Sequence, residues 1–165
     1  MAHPSIGHLQ DMPLFGGTSA QAIAVLLQGA RMFERQEGGF FVREGDVTSS
    51  LYVLLHGAVA VRRHWGEREV LLRRLAAGDC FGEMAPLDLH PRSASVQALE
   101  PSRAMEIRAE QLLVLFETMP EQFALIQMNI ARELSRRLRR LHNQLFGATS
   151  DAERALVERI LQREP

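Results

Sequence analysis

Turn spellings recur through residues 32–108 at intervals of roughly ten residues, which leaves room between breaks for one short strand each. They read Glu37-Gly38-Gly39, Glu44-Gly45-Asp46, His56-Gly57, Trp65-Gly66-Glu67, Ala77-Gly78-Asp79 and Glu100-Pro101-Ser102. Between them lie candidate strand runs at 51–55, 58–61, 70–75 and 94–98. Val59 with Val61, and Ala94 with Val96 and Ala98, alternate at period two, which puts each set on one face of a strand. Many short strands with frequent turns predict a mainly β fold, a small sandwich or jelly-roll barrel, and no parallel α/β sheet.

The flanks read as helices. In residues 1–31, Thr18 and Gln21 spell a capping box ahead of Ile23, Leu26, Leu27 and Ala30 at helical spacing. In residues 109–147, Pro120 suits a first helical position and Gly147 the far cap. Phe123, Ile126, Ile130, Leu134, Leu138, Leu141 and Leu145 follow one another at steps of three and four. Such a seam packs on the barrel or pairs with its twin, and a homodimer through residues 120–147 is the expectation. A last amphipathic helix is expected in 148–165, capped by Ser150 and Glu153 and burying Leu156, Val157, Ile160 and Leu161. At 165 residues the whole is expected to be one domain.

Several chemistries are missing. All nineteen basic residues are arginine, so Schiff-base catalysis, a Walker-type phosphate site and a lysine base are excluded. The six histidines are scattered among termini, turns and the long helix, without a His-x-His pair. A metal-dependent jelly-roll enzyme of the cupin type therefore lacks its ligand set. No Gly-x-Ser-x-Gly occurs and Cys80 has no evident histidine partner, so Cys80 reads as a small core residue and the chain as no enzyme, with no cofactor. The single cysteine fits a reducing compartment. With no signal-peptide pattern and no apolar run of membrane-spanning length, a cytoplasmic protein that does not meet the membrane is expected. A net charge of -1 gives the chain as a whole no pull toward nucleic acid.

The informative segment is Gly78-Asp79-Cys80-Phe81-Gly82-Glu83-Met84-Ala85, followed by residues 86–90 and then Pro91-Arg92-Ser93-Ala94-Ser95-Val96. Here the chain resembles the cyclic nucleotide-binding domain family, which includes catabolite-activator-type bacterial regulators, protein kinase A regulatory subunits and gated ion channels. The resemblance rests on Phe-Gly-Glu, two small or apolar residues, a short linker and Arg-Ser-Ala opening a strand. Glu83 and Arg92 stand nine residues apart, the family's usual step, and the glycines Gly57 and Gly78 fall where the family places them. It implies a double-stranded β-helix with a long C-terminal helix, and a binding site at Phe81, Gly82, Glu83, Met84, Ala85, Arg92, Ser93 and Ala94.

The chemistry of those residues agrees. A cyclic nucleotide carries one phosphate charge, which one guanidinium meets with two parallel hydrogen bonds; Arg92 is the candidate. Its ribose hydroxyl needs one acceptor, and Glu83 is the candidate. A single helical turn after Gly82 would aim free N–H groups near Met84 and Ala85 at the anion, and Ser93 would add a hydroxyl. Taken alone, Arg92 and Glu83 also fit a surface ion pair.

Two places depart from the family pattern. Pro86 stands where an aliphatic residue is commoner, so the short helix is expected to end early or tilt. The positions that meet adenine in cyclic-AMP-responsive relatives fall on or near Arg137 and Leu138. Arg137 would stack on a purine or donate to a guanine oxygen, or else lie on a solvated helix flank. Cyclic AMP is expected over cyclic GMP. The arginines 132, 136, 137, 139 and 140 suggest nucleic acid, but eighteen residues follow Gly147, too few for the helix-turn-helix domain of such regulators. They read instead as a solvated or dimer-flanking face. The expected function is a stand-alone regulatory domain that signals through helix repositioning to its dimer mate or a partner protein. The alternative is a degenerate relative that binds no nucleotide and serves as a dimerisation scaffold.

Overall fold

A computed structural model describes residues 4–147. The chain divides into two compact units, one through Asn129 and one from Ile130. The expected helix in 148–165 lies outside the described residues.

In the first unit, β1 (Arg31–Arg35), β8 (Ser102–Ile107), β3 (Leu51–His56) and β6 (Cys80–Phe81) form one antiparallel sheet in the order β1-β8-β3-β6. The second sheet runs β2-β7-β4-β5, from β2 (Phe40–Val42), β7 (Ser95–Ala98), β4 (Ala58–Trp65) and β5 (Arg68–Ala76). This is the predicted β-roll. Each of the glycine turns sits at a strand break, and Gly38, Gly45, Gly57, Gly66 and Gly78 all take positive φ. At Gly57 the need is strictest, because a Cβ there would meet the Pro101 carbonyl at 2.7 Å and the Ser102 Cα at 2.8 Å.

The core lies between the sheets. Tyr52, Leu54, Phe81 and Ala104 from the first sheet pack with Phe41, Val42, Val59, Leu75, Val96 and Ala98 from the second. Three ring contacts run through this core, one of them, Phe41–Phe81, between the sheets. Tyr52 stacks on Phe81 at 5.1 Å with an interplanar angle of 6°. Phe41 meets Phe81 edge-on at 5.6 Å, and Phe33 meets Tyr52 the same way at 6.1 Å. Phe81 thus ties the site-bearing strand to both layers.

Strand alternation is less regular than the sequence suggests. Ala60 is fully buried beside Val59, and β7 opens at Ser95, one residue after Ala94, with Ser95 and Val96 both buried. Small residues on the second face are covered as completely as the apolar ones, so burial does not follow period two. In β5 only Leu75 is buried; the register with β4 shifts between Val61 and Arg62, and Val70, Leu71 and Leu72 face solvent.

Helices α1 (Ile6–Gln10), α2 (Ala20–Leu27) and α4 (Ala109–Thr118), with a short 3-10 turn at Pro13–Phe15, cluster through buried Leu9, Phe15, Ile23, Leu26, Leu112 and Leu115. The N-cap of α2 is Ser19, whose hydroxyl accepts from the Ala22 N–H at 3.2 Å, and not Thr18 as the capping-box spelling predicts. Ser19 wins because its own N–H is also held, by Gln122 Oε1 at 2.7 Å. The Thr18 hydroxyl is buried with no hydrogen-bond partner, and Ala30 lies beyond the end of α2. Helix α5 (Pro120–Phe146) begins at the predicted proline. Asn129 donates from Nδ2 to the carbonyls of Leu14 and Gly16, both at 3.0 Å.

Within the second unit the predicted seam is unevenly covered: Leu134 is half-buried, whereas Leu138 is 53% and Leu141 51% exposed. Glu133 sits among Arg136, Arg137 and Arg140 at 3.6, 2.9 and 3.8 Å, an ion-pair cluster along one helix flank. Trp65 is 77% exposed at the end of β4, and Cys80 is buried, the latter as the sequence suggests.

Candidate functional site

Strand β6 ends at Phe81, and the chain turns at Gly82 with φ +74°. Glu83 follows, 5% exposed, and Met84 opens a single helical turn, α3 (Ala85–Asp88). Pro86 sits inside the first turn, where its missing N–H costs nothing. The turn continues past Pro86: α3 runs to Asp88 and closes when Leu89, at φ +57°, donates to the Ala85 carbonyl at 3.0 Å. The turn's own bonds use the N–H groups of Leu87, Asp88 and Leu89. Those of Met84 and Ala85 precede the first intrahelical bond and are not used by it.

Arg92 returns to the same place. It is 4% exposed, so neither it nor Glu83 belongs to a surface ion pair. Its Nε donates to Thr48 Oγ1 at 2.8 Å, Nη1 to the Gly82 carbonyl at 2.7 Å and Nη2 to the Ser50 carbonyl. Three of five N–H bonds are thereby spent, and one remains on each Nη. Two N–H groups on two adjacent nitrogens are what a bidentate oxyanion needs.

The backbone of Arg92 is held as firmly as its head group. Its N–H donates to the Asp46 carbonyl at 2.9 Å, and its carbonyl accepts from Gly45 at 2.8 Å. Residues 43–50 therefore clasp Arg92 at four points. Burial pulls the guanidinium pKa below its usual value; Tyr52, Glu83, Asp46 and Glu106 act in the opposite sense, in that order. A cation buried among acceptors and acidic groups remains charged and pre-aimed.

Gly82 completes the arrangement. A Cβ there would overlap Arg92 Nη1 and lie 3.1 Å from both Cζ and the Ser50 carbonyl oxygen. The glycine is required by its φ and by the guanidinium resting against it.

Phe81, Gly82, Glu83, Met84, Ala85 and Arg92 are thus gathered around one turn. Ser93 is exposed and Ala94 half-buried, on the stretch that leads into β7. Arg137 belongs to the second unit, where its Nε donates to Glu133 Oε1 at 2.9 Å. The sequence reading missed Thr48, Ser50, Tyr52 and Glu106. The hydroxyl run Thr48-Ser49-Ser50 after the Gly45 turn was the one local signal for the first two.

A cleft of about 340 Å³ nearby is lined by Pro86, Leu112, Leu113, Phe116 and Phe123. It is apolar and lacks any cation, so it is not the anion site. Among the described residues, no three of His, Cys, Asp and Glu gather as metal ligands, and no helix is long and apolar enough to cross a membrane.

Known proteins resemble the chain in sequence and in fold. The sequence profile of the cyclic nucleotide-binding domain matches residues 32–119. The Cyclic AMP receptor protein of Thermus thermophilus is 33% identical over 132 residues, covering 79% of this chain and 59% of that protein. The CRP-like cAMP-activated global transcriptional regulator of Mycobacterium tuberculosis is 32% identical over 151 residues, covering 90% of this chain and 66% of its own length. The chain therefore spans about two thirds or less of these relatives. Among solved structures, a cyclic nucleotide-binding domain from Methylobacillus flagellatus superposes with a TM-score of 0.77 at 23% identity, covering 88% of this chain and 82% of that one. The Thermus thermophilus catabolite activator protein does so at 0.69 and 33%, covering 81% and 61%.

Proposed function

The chain belongs to the cyclic nucleotide-binding domain family, and from that premise we propose that it is a regulatory domain, not an enzyme, that binds one cyclic nucleotide monophosphate at the turn after β6. Arg92, with an N–H left on each Nη, takes the phosphate; Ser93 and the N–H groups of Met84 and Ala85 supply further donors. Glu83 accepts from the ribose hydroxyl. Phe81, Gly82 and Ala94 shape the floor, and Arg137 is the candidate for the base. The observation that carries this reading is the buried Arg92, held by three hydrogen bonds with one N–H left on each Nη, because a buried cation is costly unless an opposite charge meets it. Cyclic AMP is favoured over cyclic GMP because both named relatives are cyclic-AMP proteins. The bound state is read out by a shift of α5, through a homodimer made on residues 120–147 or through a partner protein. The half-exposed Leu138 and Leu141 support that surface.

Calorimetric titration with cyclic AMP and cyclic GMP, on wild type and Arg92→Ala, tests the proposal. Losing the phosphate partner costs roughly 2–5 kcal/mol and abolishes micromolar binding. Folded wild-type protein that takes up neither nucleotide overturns the sensor reading in favour of a degenerate scaffold.

A further inference from the structure

Tyr52 and Glu106 are both buried in the core and stand directly opposite each other across the β3–β8 ladder. Tyr52 Oη donates to Glu106 Oε1 at 2.9 Å. On its other side Tyr52 is paired with Phe81 in the β3–β6 register, and their rings stack. The ring also faces Arg92, whose Cζ lies 5.7 Å from its centroid. One aromatic ring therefore touches the strand that begins the site and the cation that completes it.

An acid and a phenol are an expensive way to fill a sheet core, since apolar residues of similar volume are commonly as stable or more so. What phenylalanine and leucine would not supply is orientation. We propose that Tyr52 and Glu106 are a positioning pair for the anion-binding arginine. The strand register fixes the Cα of Tyr52, stacking on Phe81 fixes the ring plane, and the hydrogen bond to Glu106 fixes the ring within that plane. The π face is then presented to Arg92 as a fourth constraint beside Thr48, Ser50 and Gly82. A phenol that donates to a carboxylate is also more electron-rich, which strengthens its attraction for a cation. The carboxylate of Glu106 offsets the buried positive charge before any anion arrives. The proposal rests on the cyclic-nucleotide reading for its ligand, but not for its geometry.

Nitrogen-15 NMR of the full chain tests the geometry without ligand. The Nε–H resonance of Arg92, identified by its loss in Arg92→Lys, is expected to be protected from exchange and displaced by the ring current of Tyr52. Tyr52→Leu is expected to remove that displacement and to lower affinity for cyclic AMP about tenfold, whereas Tyr52→Phe, which keeps the ring, loses about threefold. Glu106→Gln still accepts from Tyr52, so the Arg92 resonance is expected to hold while the lost charge lowers affinity about threefold, whereas Glu106→Leu keeps the ring but frees it in its plane and is expected to reduce the displacement as well. Melting temperatures accompany each variant; since loss of the ring removes its ring current whatever its role, the deciding readout in Tyr52→Leu is the exchange protection of the Arg92 Nε–H, which a merely structural role would leave intact in folded protein. Unchanged exchange protection of the Arg92 Nε–H and unchanged affinity in Tyr52→Leu overturn the proposal. Should that variant not fold, equal resonances in Glu106→Gln and Glu106→Leu overturn it instead. Wild type that binds no cyclic nucleotide refutes the nucleotide reading alone, and the resonance still decides the positioning.

Discussion

Replacing Gly82 by alanine isolates how much the site depends on one missing side chain. Two effects add. At φ +74° an alanine bears the left-handed penalty of about 1–2 kcal/mol. Its Cβ also occupies the place of Arg92 Nη1 and crowds Cζ and the Ser50 carbonyl. The guanidinium must move, which breaks at least its bond to the Gly82 carbonyl; a hydrogen bond to a charged group is worth about 1.5–3 kcal/mol. Gly78→Ala is the control, since Gly78 has φ +94° and nothing within 4 Å of its Cβ position. It carries the conformational penalty alone. Differential scanning calorimetry should place Gly82→Ala about 4–8 °C below Gly78→Ala, from about 2 kcal/mol at 2–4 °C each for a domain of this size. Titration with cyclic AMP should show Gly78→Ala binding as wild type and Gly82→Ala weakened at least about thirtyfold, the lower end of losing a buried charge partner. If the two variants melt together and both bind normally, Arg92 is not held against Gly82 in the way argued.

Tyr52 is the only tyrosine in the chain, so phenolate absorbance reports it alone. Burial first, then the hydrogen bond and charge of Glu106, push its pKa up to about 12. The unfolded chain gives up this proton near pH 10, so the stabilisation is complete below pH 10. It is lost, by about 3 kcal/mol in all, as pH rises through 12. Urea unfolding from pH 9 to 12 should show this decline in wild type and lose it in Tyr52→Phe; a native phenolate midpoint near 10 contradicts the buried pair. At the start of α2, Ser19→Ala should cost about 1 kcal/mol in thermal unfolding. Thr18→Val, which removes a hydroxyl that bonds nothing, should be neutral or stabilising; the reverse order would restore Thr18 as the cap. For the long helix, Leu138→Glu with Leu141→Glu should shift sedimentation from dimer to monomer without changing the melting of the β-roll. An unchanged sedimentation coefficient removes those leucines from any interface.

The fold was readable because its determinants are local. A glycine with positive φ announces a turn by its identity, and Gly38, Gly45, Gly57, Gly66 and Gly78 did so in order. Short strands such as β6 and β2 left no pattern of their own, because two or three residues cannot display a period. The exposed run Val70-Leu71-Leu72 misleads in the other direction: it looks like core, but β5 is the edge strand of its sheet and this stretch is uncovered on both faces. Thr18 failed as a cap for a related reason. Its neighbour Ser19 is equally able to cap, and the choice was settled by Gln122, which is 103 residues away in sequence.

The site divides the same way. Gly82, Glu83 and Arg92 are legible because an anion fork, an acceptor and a close backbone approach each demand one residue type at a short spacing. What makes the fork usable is contributed from a distance. Thr48 and Ser50 reach Arg92 across 44 and 42 residues, and Glu106 reaches Tyr52 across 54. The Ser50 contact, like that of Gly82, is made by a backbone carbonyl oxygen, which every residue possesses and no sequence pattern can mark. An arginine's identity shows that a charge is present. Whether that charge is aimed depends on acceptors that the chain brings together only by folding, so substitutions at Thr48, Tyr52 and Glu106 should disturb the site although none of them resembles an anion-binding residue.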